Sequence, residues 1–235
     1  MKRIMLLMAL VMGTITTQAQ TPEEYQNWYV PAEVGTILKY DIYDQNGNIT
    51  GRYVVRTDSV TRKANGKWCV SQSSLQYDAN NRQIGDKLYA ESIISNDTTY
   101  IGVNRIMEMS RAMVQSWGTL IAMPATVNRY TSFVNRSLGC TVRVAGFKFS
   151  ATTKAYNYQL MNEETMTVDN RIYEALKVSY ETTTKVVGHT EQSYATTWFA
   201  KGIGTMLAVI ENQQTGESNT TKLVSIEFPN SAVSE

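Results

Sequence analysis

Side chains that do chemistry are sparse in this chain and poorly spaced for convergence. His189 is the single histidine, which excludes multi-histidine zinc sites and leaves one candidate general base. It follows Gly188 between two strand-like runs, so it reads as an exposed loop imidazole. Neither Cys69 nor Cys140 stands in the context of a nucleophile, and no Gly-x-Ser-x-Gly elbow accompanies the histidine. Glu163, Glu164 and Glu181 are carboxylates of the kind glycosidases pair, but adjacent strand residues point to opposite faces, so the first two cannot converge. Asp44-Gln-Asn-Gly-Asn48 has the acidic spacing of a calcium loop without its later bidentate glutamate, and its glycine is misplaced. It reads as a hairpin turn. The expectation is a noncatalytic chain with no metal and no cofactor.

The most distinctive block is Trp198-Phe-Ala-Lys-Gly-Ile-Gly204. It offers either a ligand platform of Trp198 and Phe199 with Lys201 at its rim, or a structural corner. In a corner, Gly202 and Gly204 bend a strand while Trp198 plugs one end of a barrel. Curling a sheet needs such devices at fixed places, which favours the corner.

The elements that must position these residues show period-two alternation broken by turns, the mark of half-buried strands. Leu38, Tyr40 and Ile42 share one strand face, and Asn46-Gly47 turns the chain back into a strand reaching about Arg62. Lys63-Ala-Asn-Gly-Lys67 is the next turn, followed by strands at Trp68 to Tyr77, Lys87 to Ile94 and Thr99 to Val103. Tyr156, Tyr158, Leu160, Met166 and Val168 fall on one parity. After an Asp169-Asn170 turn, Ile172, Leu176, Val178, Tyr180 and Val186 do the same. Runs at Gln192 to Phe199, Thr205 to Glu211 and Thr221 to Phe228 complete the set. Ile106, Met109, Met113 and Trp117 recur at helical spacing and predict one amphipathic helix over about Arg105 to Trp117, closed by Gly118 and Pro124. The expected fold is mainly β: a single antiparallel sheet curled into a barrel or half-barrel, with that one short helix mid-chain.

Composition agrees with an ordinary globular domain, at 43% hydrophobic and 18% charged residues. With 22 basic and 21 acidic residues there is no field to steer nucleic acid. Lys2 and Arg3, the apolar run Ile4 to Met12 and the small residues up to Gln20 form a secretory signal peptide. Thr17 and Ala19 place cleavage after Ala19, leaving residues 20–235 as one exported domain, periplasmic or extracellular. The apolar run is too short to span a bilayer, so no transmembrane segment is expected. No cysteine at the site marks a lipoprotein, so the product should be soluble. Export permits a Cys69–Cys140 disulfide, with two buried free thiols as the alternative.

These residues also carry a resemblance. The segment Glu163 to Tyr180, with Lys177-Val-Ser-Tyr180 at its end, the block Thr197 to Gly204 and the closing Lys222-Leu-Val-Ser-Ile226 are similar to the TapB-like exported domain of unknown function. Gly35 to Asp44 matches its N-terminal half. Members often carry cysteines where Ala175 and Ser92 stand here, so whatever those cysteines serve is not inherited. The resemblance implies an exported location and β architecture, and no activity.

Three function classes follow, in order. The first is a noncatalytic exported module holding an apolar or glycan ligand in a curved sheet, or assisting envelope assembly with a protein partner. The second is a structural or surface-interaction domain, and the third a hydrolytic enzyme. A lined cavity would favour the first, and a filled interior with an exposed apolar patch the second.

Overall fold

The computed structural model describes residues 25, 27–109, 112–144 and 147–229. The signal peptide and its cleavage point lie outside the described residues. Thirteen strands are present among them: β1 (Ile37–Tyr43), β2 (Ile49–Arg62), β3 (Trp68–Asp78), β4 (Gln83–Ser95), β5 (Thr98–Met109), β6 (Ala112–Thr119), β7 (Ile121–Pro124), β8 (Arg136–Val144), β9 (Phe147–Val168), β10 (Arg171–Val186), β11 (His189–Ala200), β12 (Gly204–Asn212) and β13 (Ser218–Glu227). Every pairing is antiparallel, and apart from the short β7, which pairs with β5 and leaves β6 to pair with β8, strands adjacent in sequence pair in space. β1 pairs with β13, while β4 pairs with β5, so the sheet closes on itself. β6 and β7 lie in line against the same strand, β5, and together occupy one place in the ring. The result is a twelve-position antiparallel barrel, and closure removes the exposed edges an open sheet would present.

Turn chemistry sets the register. Asn96 and Asp97 (φ 49° and 56°) and Asp169 and Asn170 (φ 49° and 60°) place both central residues in the left-handed region. Two-residue hairpins of matching twist require that conformation. Asp44 receives the backbone N–H groups of Asn46 and Asn48 on its carboxylate at 2.9 and 2.8 Å, so the supposed calcium loop spends its acid on its own turn.

The expected helix is absent. Residues 98–109 and 112–119 are the strands β5 and β6, paired from Asn104↔Trp117 to Met109↔Ala112. Ile106 and Trp117 are exposed on the sheet (41% and 51%), where a helix stripe would have buried them. Helix propensity amounts to tenths of a kcal/mol per residue, and a hairpin that completes the ring on both sides overrides it. The single parity expected from Tyr156 to Val168 also fails. Two register shifts in β9, beside Asn157 and between Leu160 and Asn162, insert extra residues, and each one flips the face of everything beyond it.

Three apolar clusters form the core. The first joins Leu38, Tyr40, Trp198, Met206, Leu223 and Ile226. The second joins Tyr29, Met123, Leu176, Val178, Tyr180 and Phe199. In the third, Tyr25, Trp28 and Val30 of the N-terminal segment pack on Val70 and Ile94. Tyr25 meets Trp68 edge-on at 5.2 Å and Trp28 at 4.2 Å. The segment before β1 thus acts as an aromatic stopper, worth several kcal/mol in buried area.

Candidate functional site

Around residues 197–200, β11 is buried on both faces. Trp198 belongs to the first cluster and Phe199, its neighbour, to the second. Alternation sends them to opposite sides, so they cannot form one platform. The Trp198 indole donates to Glu164 Oε2 at 2.6 Å. Lys177 lies 4.7 Å above its ring and bonds Glu164 Oε1 at 3.1 Å. Those donors, the indole first, hold the Glu164 carboxyl below its usual range. Two of the three candidate carboxylates are thus engaged: Glu164 by Trp198 and Lys177, and Glu181 by Asn157, from which it accepts.

The glycines beyond Trp198 make the corner that seats the stopper. The Gly202 N–H donates to Trp28 O at 2.6 Å, and Lys201 reaches Asn27 at 3.3 Å. Gly204 has φ +98°, and a Cβ there would meet Tyr29 O at 3.0 Å. Only glycine gives both the dihedral and the close approach. Tyr29 is buried beside it, and burial, with Glu163 nearby, pushes its phenol up to about 12.

His189 is exposed at the start of β11, opposite Val186. Cys69 and Cys140 are free thiols on β3 and β8. Three strands at roughly 4.8 Å spacing stand between them, beyond the reach of a disulfide, so the bridge that export would permit does not form. Ala175 and Ser92 are both buried, and Ser92 Oγ accepts the Gly102 N–H at 3.1 Å. Among the described residues no cluster of three or more His, Cys, Asp or Glu is placed to hold a metal.

A second region has the features of a binding site. A cavity of about 290 Å³ is lined by Tyr53, Gln72, Ser74, Gln76, Ser92 and Arg105, with apolar contacts from Val55, Leu88 and Ile101. It lies on the concave side where the clusters meet: Tyr53 and Val55 pack on the first, Ile101 on the second, and Ser92 pairs across from Val70 of the third. Tyr53 stacks on Tyr40 at 4.5 Å and 10°, which fixes its ring. Burial raises the Tyr53 phenol, with Arg105 opposing it. Arg105 retains solvent access, yet the protein around it lowers its pKa. Such a side chain sits in a wet recess.

The sequence reading missed this site because Arg105 was assigned to the helix. One signal was present. The residues of β3 that share a face read Trp68, Val70, Gln72, Ser74, Gln76, turning from apolar to amide and hydroxyl midway.

The fold is a closed antiparallel meander barrel with an aromatic stopper and a polar recess. Residues 33–215 match the DUF3108-like family, and the chain belongs to that family. The TapB-like likeness rests on the motifs quoted above alone. In fold the chain is similar to a lipoprotein candidate from Parabacteroides distasonis, at 12% identity and TM-score 0.68, covering 85% of this chain and 98% of that one. It is also similar to an exported-protein candidate with a YmcC-like fold from Bacteroides fragilis, at 17% identity and TM-score 0.63, covering 84% and 98%. Among curated proteins none matches the chain.

Proposed function

We propose that the chain is exported, loses its signal after Ala19, and acts without catalysis as an envelope module that binds a glycan in the recess between β2 and β5. The observation that carries this is the lining of the recess. One fixed aromatic ring, two amides and several hydroxyls around about 290 Å³ match the face and rim of a small sugar better than a lipid chain, which would leave those polar groups unpaired. The two proteins of similar fold, a lipoprotein candidate and an exported-protein candidate, support an envelope location. Calorimetric titration of mono- and disaccharides should give saturable binding that weakens at least tenfold in Gln76→Ala. Absence of any sugar binding, with fatty acids bound instead, would overturn the reading. N-terminal sequencing of native protein should begin at Gln20.

A surface-interaction reading rests on one feature. Tyr89, Ile106 and Trp117 (53%, 41% and 51% exposed) border an outer hollow of about 460 Å³ across β4, β5 and β6. Such a patch suits a partner chain.

A further inference from the structure

We infer that the ligand of this recess is anionic, a sugar bearing a carboxylate or phosphate, and that Arg105 is the group that selects it. The inference rests on the glycan reading and sharpens it.

Three observations carry it. First, no aspartate or glutamate lines the recess, so the positive charge of Arg105 has no counter-charge there. Among the described residues, no hydrogen bond or ion pair engages the guanidinium. The acid nearest in register, Glu91, follows Ala90, the residue that pairs with Arg105, and so belongs to the opposite face; it lies 3.7 Å from Lys63. Second, the guanidinium is laid in place by the backbone. Gly102 adopts φ +62°, and a Cβ there would meet Arg105 Nη2 at 2.6 Å and Nε at 2.9 Å. A residue without a side chain leaves the room in which the planar fork lies against β5. Third, hydrogen-bonding groups already surround it: the amides of Gln72 and Gln76 and the hydroxyls of Ser74 and Ser92 share the lining.

An uncompensated cation in a recess that lowers its pKa gains most from an anion, because a fork of N–H donors meets carboxylate or phosphate oxygens two at a time. A neutral sugar would leave that charge unmatched. The volume, roughly that of ten water molecules, suits one or two sugar rings.

The test is a calorimetric titration of full-length mature protein with three matched probes: a neutral disaccharide, its uronic-acid counterpart, and a hexose phosphate. We expect at least one acidic probe to bind ten times tighter than the neutral one, and the preference to weaken as salt rises. Which acid binds tighter separates carboxylate from phosphate. Arg105→Gln should bring the acidic probe down to the neutral level without changing neutral binding. Gly102→Ala keeps the arginine but displaces its fork, so it should lose the same selectivity. Equal binding of neutral and acidic probes, unchanged in both variants, overturns the anion inference and leaves the glycan reading intact. Binding of none of the three overturns the glycan reading itself.

Discussion

The two halves of one strand face divide the molecule. Trp68 and Val70 of β3 lie toward the stoppered end, where Val70 is fully buried and Trp68 meets Tyr25. Gln72, Ser74 and Gln76 continue the same face into the recess. At the first end aromatic rings interlock, glycine lets backbones touch, and a carboxylate is tied to an indole. At the second, amides, hydroxyls and a cation face water. A barrel interior of this width can be filled or left lined by polar groups, and the face of β3 passes from one to the other along its length. The stoppered end should therefore respond to mutation with stability, and the recess with binding.

The largest effect tests the first half of that division. Trp198→Ala removes a 9% exposed side chain from the first cluster, along with its bond to Glu164, and should cost on the order of 3–5 kcal/mol in denaturant melts. A melting point within a degree or two of wild type would show that Trp198 belongs to a binding surface after all. Gly204→Val places a β-branched residue at φ +98° with its Cβ 3.0 Å from Tyr29 O. It should cost about 2–3 kcal/mol and loosen the N-terminal segment, seen as faster hydrogen exchange at residues 27–30. A smaller loss should come with alkali. Because the Tyr29 phenol is raised from 10.0 to about 12 in the folded state, its contribution is fully present below pH 10 and lost as pH climbs to about 12. Tyr29→Phe should flatten that part of the stability curve, and an unchanged slope would place the tyrosine in water. The smallest effect belongs to the recess. Arg105→Gln relieves an unmatched charge, so the ligand-free protein should melt unchanged or up to about 1 kcal/mol more stably. A loss above that would move Arg105 to the structural side of the division.

Much of the barrel was legible in the sequence because its turns are local. Asn-Gly and Asp-Asn pairs fix hairpins with the residues beside them, and alternation along Leu38–Tyr40 or Leu176–Tyr180 needs only one buried face. The helix was misread because its evidence, spacing and propensity over Arg105 to Trp117, is local too, while what decides the matter is pairing with β4 on one side and β8 on the other. The bulges of β9 were invisible for the same reason. Trp198 and Gly204 could be named as a corner, but not what the corner holds, since Trp28 and Tyr29 lie about 170 residues earlier in the chain. The recess needed four strands brought together before its polar lining could be recognised.

Closure of the ring has a kinetic side. Ten of the thirteen pairings among the described residues join neighbours along the chain and two more, β5–β7 and β6–β8, skip a single short strand, so hairpins can zip in sequence with little loop entropy to overcome. The exception is the seam where Ile37 meets Glu227, which must wait for the two terminal strands to find each other across nearly the whole chain. Until it shuts, β1 and β13 are open edges able to capture strands from other molecules. A folding chain is thus most exposed to aggregation at its last step, and a circular permutant that joins β13 to β1 through a short loop would turn that search into one more local hairpin.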